Sequence, residues 1–240
     1  VFSGEADFGN RYPLKLPSCN YLGQGAVWRH QIEIDKTPHK PAGTPGFVVG
    51  RYAGFVSFSL SGNCHNPQED CGLIGWSDDP DRPSASIEGE LLFSNCLLDG
   101  RSNCDWVVYS WANVRRRIAA KNTAVNFCRF GFVGGSGGGE MQRIEADACT
   151  FKGNANGSRT FGESSSNNPT SGDVVTPVLI RGGMVKLKDC KSTSVGLSKP
   201  YDSTGKWGCP RIAGLVADQY YSNGQACDVT VQGCTSLITA

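Results

Sequence analysis

A six-residue phrase ending in cysteine recurs along the chain, and it limits the fold more than any other feature. Its clearest copy is Val185-Lys186-Leu187-Lys188-Asp189-Cys190: apolar residues at alternate positions, two further residues, then the cysteine. The same phrase reads Leu91-x-Phe93-x-x-Cys96, Thr123-x-Val125-x-x-Cys128, Ile144-x-Ala146-x-x-Cys149 and Val229-x-Val231-x-x-Cys234. Alternation with a period of two marks a strand with one buried face. Asn95, Asp189 and Gly233 stand before three of the cysteines, and these residue types tolerate the left-handed backbone of a tight bend. A strand, a bend and a second short strand, repeated, predict a solenoid.

The spacing of the phrase refines this. Its cysteines are 32, 21, 41 and 44 residues apart. The shortest interval suits one coil of a parallel β-helix. The two longest suit two coils, or one coil with a large loop, and the remaining one suits a coil with a loop of about ten residues. Stacked coils repeat at ~4.8 Å and bury a continuous core only through their neighbours. Cys96, Cys128, Cys149, Cys190 and Cys234 are expected to form an internal ladder of reduced thiols that behave as small apolar side chains.

Composition points the same way. The chain has 31 glycines in 240 residues, and its periodic runs are short and rich in β-branched or aromatic residues, the profile of an all-β protein. The formal net charge of +1 lacks the basic excess of a nucleic-acid binder. No run approaches the ~18 apolar residues of a membrane span. Neither nucleic acid nor membrane is expected as a partner. The glycine-rich run at 131–139 lacks the lysine and Ser/Thr of a phosphate-binding loop and reads as a flexible loop. Cys64, His65 and Cys71 have neither zinc-site spacing nor a second pair nearby. No metal and no cofactor are expected. The chain opens on Val1 without a visible secretory signal, so it is expected to be a processed product or part of something longer.

Residues 1–50 carry no repeat and are punctuated by Pro13, Pro17, Pro38, Pro41 and Pro45. They are expected to form an irregular N-terminal arm or cap. Residues 51–240 are expected to form the parallel β-helix, with loop excursions near 101–117, 131–140, 154–176 and 199–210.

Two groups of side chains are candidates for chemistry. Glu145 and Asp147 stand at i and i+2 of one strand, hence ~7 Å apart, inside the ~6.5–9.5 Å range of inverting glycosidases. If the excursion at 154–176 is a single loop, they stack against Lys186 and Lys188. The set then reads either as exposed salt bridges worth ~0–1 kcal/mol each or as an acid–base pair. Adjacent lysines lower carboxylate pKa values, which works against a general acid. Trp106, Tyr109, Trp111, Tyr201, Trp207, Tyr220 and Tyr221 fall in inter-coil segments. They read either as platforms for sugar rings or as seals packed on the helix. The run Arg115-Arg116-Arg117 reads as a solvated face or an anion-facing patch.

From Leu91 to Ser236 the cysteine, asparagine and aliphatic ladders resemble the right-handed, pectate-lyase-like parallel β-helix. Among such proteins, the chain most resembles bacteriophage tailspikes and other virion spike proteins. The resemblance implies a virion or extracellular protein, a homotrimer that binds host-surface polysaccharide. Any enzyme activity it implies is that of a glycoside hydrolase or polysaccharide lyase. The calcium-binding acidic cluster and catalytic Arg or Lys of pectate lyases do not map onto this chain. Two alternatives stand beside this reading. One is a non-catalytic structural or decoration protein with other virion proteins as partners, and the other an extracellular bacterial adhesin or filament subunit.

Overall fold

The computed structural model describes residues 1–9, 14–33, 44–65, 71–76, 88–111, 114–135, 142–152, 176–193, 215–217 and 227–237. Its strands are β1 (Phe2–Asp7), β2 (Leu14–Leu16), β3 (Cys19–Glu33), β4 (Thr44–Val49), β5 (Tyr52–His65) and β6 (Cys71–Trp76). Next come β7 (Gly89–Ser94), β8 (Leu97–Trp111), β9 (Arg116–Lys121), β10 (Ala124–Gly135), β11 (Gln142–Asp147) and β12 (Thr150–Lys152). The last are β13 (Thr176–Arg181), β14 (Gly183–Lys188), β15 (Lys191–Thr193), β16 (Leu215–Ala217), β17 (Cys227–Gln232) and β18 (Thr235–Leu237). The described chain is all-β, and every pairing in it is parallel.

The pairings sort the strands into three rows. Row A runs through the start of β3, the start of β5, then β7, β9, β11, β14 and β17. Row B holds β1, the later parts of β3 and β5, the starts of β8 and β10, then β12, β15 and β18. Row C holds β2, β4, β6, the ends of β8 and β10, then β13 and β16. The chain visits the rows in the constant order A, B, C, so each circuit lays one strand segment on each row.

In-register stacking turns the period-2 pattern into columns. In row A, Tyr21, Phe55, Phe93, Ala120, Ala146 and Leu187 face the core. Row B contributes Trp28, Leu60, Leu98, Val125 and Phe151, and row C contributes Phe47, Ile74, Val108, Phe132 and Val178. All sixteen are at most 9% exposed and belong to one cluster. Aromatic rings concentrate in the first circuits. Tyr21 stacks on Phe55 at 4.8 Å and Phe55 on Phe93 at 5.7 Å, close to the strand spacing. Phe2 lies against Tyr21, Trp28 and Phe58, and Phe8 lies against Trp28 and Phe47, which covers that end of the core.

The described part of the first fifty residues therefore differs from the expected arm. β1 to β4 occupy the same three rows as the rest, because Leu16, Tyr21, Trp28, Phe47 and Val49 carry the alternation that buries one face. Among the described residues, Phe2 and Phe8 lie over the end of the core. The excursion expected at 101–117 is mostly strand, since β8 passes from row B to row C and β9 begins at Arg116. The glycine run expected as a loop is strand as far as Gly135. There Phe132 packs edge-on against Phe151 at 5.6 Å. Residues 136–141, 153–175 and 194–214, which hold most of the other expected excursions, lie outside the described set.

Between rows A and B the chain turns on a single left-handed residue. Asn95, Asn122, Ala148 and Asp189 have φ of 54°, 48°, 51° and 51°, and Gly233 has 62°. Ser57 at 56° and Gly25 at 69° hold the same place in earlier circuits. The next residue points inward: Ala26, Phe58, Cys96, Thr123, Cys149 and Cys190 are all buried, and Cys234 is half-buried. This column is the cysteine ladder, with one correction. Thr123 occupies the rung expected for Cys128, and lies 27 residues after Cys96. The true phrase of that circuit is Ile118-x-Ala120-x-Asn122-Thr123. Cys128 instead pairs through its backbone with Cys104, beyond row B.

The ladder residue has a polar task. Its thiol or hydroxyl donates to the carbonyl two residues back: Cys96 to Ser94 (3.3 Å), Thr123 to Lys121 (2.9 Å), Cys149 to Asp147 (3.4 Å), Cys190 to Lys188 (3.3 Å) and Cys234 to Gln232 (3.4 Å). The last four carbonyls also accept the corner amide of the preceding circuit, from Asn95, Asn122, Ala148 and Asp189 at 2.8–3.0 Å. Each of these four carbonyls thus accepts from two donors, one per lone pair. Burial pushes the Cys96 thiol up, and the hydrogen bond with Cys149 followed by burial pushes Cys190 up further. Both are therefore neutral donors at physiological pH.

His30 is buried, 3% exposed, with Nε2 3.4 Å from the Leu73 carbonyl and Phe47 packed edge-on at 4.7 Å. Gly46 and Gly62 make room for it, since a Cβ at either would strike the ring. Burial lowers its pKa to about 4, opposed by the Leu73 carbonyl and Asp7.

Two predictions follow from these contacts. As pH falls, the unfolded chain takes up the His30 proton first, near 6.5. The stability present above 6.5 is lost progressively towards 4, by about 3 kcal/mol in all. Urea unfolding at pH 7.5 and 4.5 should show that loss in the wild type and a much smaller one in His30→Phe; equal losses in both would remove His30 as the cause. At the corner, Ala148→Gly should raise and Asn122→Ala should lower the unfolding free energy by about 1 kcal/mol each. Shifts of the same sign in thermal melts would contradict the left-handed assignment.

Candidate functional site

A groove of about 680 Å³ follows the A–B corner across five circuits. Its geometry comes directly from the ladder. One rail consists of the left-handed residues Gly25, Ser57, Asn95, Asn122 and Ala148. The facing rail is the second residue after each of them, Val27, Ser59, Leu97, Ala124 and Thr150, where row B begins. Ala26, Phe58, Cys96 and Thr123 form the floor. The corner side chains are exposed, and Leu97 is 36% exposed despite its apolar character. None of the described lining residues carries a formal charge. The groove thus offers hydroxyl and carboxamide groups beside small apolar surface, the mixture common in small-ligand sites.

The carboxylates expected as acid and base lie on the outer face of row A. The register places Glu145 beside Lys186 and Asp147 beside Lys188, as a single excursion between β12 and β13 requires. The ion pairing is different. Glu145 Oε2 accepts from Arg117 Nη2 at 2.6 Å and from Arg117 Nε at 3.1 Å, and its Oε1 lies 3.8 Å from Arg143 Nε. Arg117 also reaches Glu90 at 3.6 Å. The hydrogen bond to Glu145, ahead of both neighbouring charges, raises the Arg117 pKa against its partial burial. A carboxylate held this way serves as a hydrogen-bond acceptor. Asp147 stacks between Lys121 and Lys188 in register. Arg116 is not part of a solvated face. It is 3% exposed, and its guanidinium sits 4.9 Å above the Trp76 ring.

Of the aromatic candidates, Trp106, Tyr109 and Trp111 are in β8 on row C, not in a loop. Their backbones are in register with Phe130, Val133 and Gly135 of the next circuit. Tyr201, Trp207, Tyr220 and Tyr221 lie outside the described residues. Among the described residues, the backbones of Trp106, Tyr109 and Trp111 lie on row C, and the groove follows the A–B corner. The groove itself escaped sequence reasoning, although its signal was present in the polar residues preceding the ladder positions. Comparison with protein-family models, with curated proteins and with solved structures gives no match.

The Arg117–Glu145 pair is about a third exposed, so it should contribute little to stability. A double-mutant cycle with Arg117→Met and Glu145→Gln should give a coupling of about 0–1 kcal/mol that shrinks in high salt. A coupling well above that range would mark the pair as more than a surface contact.

Proposed function

We propose that the chain is a right-handed parallel β-helix of the pectate-lyase-like, virion-spike kind, and that it binds host-surface polysaccharide without cleaving it. Three observations support the helix. The strands form three parallel rows, the visiting order is constant, and the corner repeats at one place in every circuit. Crossovers between parallel strands are right-handed in about 98% of cases, which favours that hand here. The single observation that carries the binding is the groove along the corner, a long concave strip on a rigid scaffold. Binding is favoured over cleavage because Glu145 is engaged as an acceptor by Arg117. The spike reading further implies a homotrimer on a virion or in an extracellular setting.

A second reading, a non-catalytic structural or decoration component, is favoured by the last row A strand. Val229 and Val231 continue the interior columns there, yet are 37% and 52% exposed, a face suited to contact with further protein.

Light scattering with and without reductant, followed by a glycan array, tests the proposal. A trimer that survives reductant and retains a glycan without shortening it is the expected result. A monomer that retains no glycan would overturn the spike reading.

A further inference from the structure

We infer that the corner groove takes an uncharged, unbranched oligosaccharide lying along the stacking axis, gripped by the Asn95 and Asn122 carboxamides. This rests on the glycan-binding reading above and narrows it to one site and one ligand class.

The charge of the walls decides the first part. All the described lining residues are neutral, and the burial that raises the Cys96 pKa keeps that floor thiol protonated. On the row A side the next column outward is the neutral Ser94 followed by Lys121, Asp147 and Lys188, in which an acid separates two lysines. An acidic polysaccharide finds no basic strip here, and a basic peptide finds no acidic one.

The backbone decides the second part. A peptide strand binds a sheet through free edge groups. Here the corner amides are already used: Asn95 N–H donates to Lys121, Asn122 to Asp147, Ala148 to Lys188, Ala124 to Cys96 and Thr150 to Thr123. Recognition is left to side chains. Ser57, Ser59, Asn95, Asn122 and Thr150 offer both donors and acceptors, which suits a ligand made of hydroxyl groups. Leu97 and Ala124 lie between them as apolar steps for ring faces.

The direction follows from the stacking. Equivalent side chains recur once per circuit at ~4.8 Å, so five circuits give a strip of about 19 Å. A linear chain lying along the axis meets the same polar rail repeatedly, whereas one lying across it meets each rail once.

The test uses calorimetric titration of the full chain with neutral tetrasaccharides (a glucan, a mannan and a galactan fragment) and with a uronate tetrasaccharide. The variant is Asn95→Gly with Asn122→Gly, which removes both carboxamides while keeping a residue suited to the left-handed corner. A neutral fragment should bind, the uronate should not, and the double variant should weaken binding by about tenfold with an unchanged melting temperature. Uronate binding as tight as neutral binding, or unchanged binding by a variant that still melts normally, would overturn the site while leaving the glycan reading in place. If no saccharide binds, both inferences fall.

Discussion

The structure depends on a carbonyl group at the A–B corner and the two donors that satisfy it. A left-handed residue bends the chain, and the carbonyl before it accepts both the corner amide of the preceding circuit and the ladder thiol or hydroxyl. Cysteine and threonine suit the later rungs because they are small, sufficiently apolar and able to donate, whereas Ala26 and Phe58 fill the same column in the first circuits without a side-chain donor. The corner bonding also fixes the register. Once the corners are bonded to each other, every residue before and after them is aligned with its counterpart, and a slip of one residue would turn the apolar columns outward.

Register then controls packing. Identical positions stack, so a large side chain in one column must be balanced by smaller ones across the core if density is to stay constant. The row A column changes from Phe55 and Phe93 to Ala120 and Ala146, and in those later circuits Phe132 and Phe151 enter from rows C and B. Polar groups inside the stack follow the same logic. Gln142 is 1% exposed, accepts from Ser110 Oγ at 2.6 Å and donates to the Val114 carbonyl at 2.6 Å. Arg116, beside it in register, lies over Trp76. Row A thus begins on a buried polar strip and continues as an apolar one.

This hierarchy explains what the sequence revealed. The strands ending at Cys96, Cys149, Cys190 and Cys234 were legible because alternation, bend residue and thiol coincide in each. The Glu145–Lys186 register was legible for the same reason. The circuit at Ile118 was hidden because its ladder residue is threonine and its strand opens with two arginines, Arg116 and Arg117, the first of them stacked on Trp76. A false copy ending at Cys128 took its place, since Thr123 and Val125, both after the Asn122 corner, read as alternate residues of one strand. The first circuits were hidden by prolines between strands and by corners made with Gly25 and Ser57, where no cysteine marks the turn. Side-chain pairing was the least legible part. Register put Glu145 next to Lys186, but reach and planarity gave it to the diagonal Arg117.

The same constraint separates the groove from the rest of the surface. Residues facing the core are restricted by stacking, and corner residues are restricted by φ, but the side chain on a left-handed residue faces solvent and is free to vary among those the backbone accepts. Ser57, Asn95, Asn122 and Ala148 show that latitude in successive circuits. Asparagine and serine tolerate the bend better than larger side chains do and also form hydrogen bonds. The backbone requirement that makes the turn therefore also favours a polar, uncharged rail. A binding strip at the corner costs the fold nothing extra, whereas an acid–base pair on the flat outer face of row A must compete with the ion pairs that stacked strands form there.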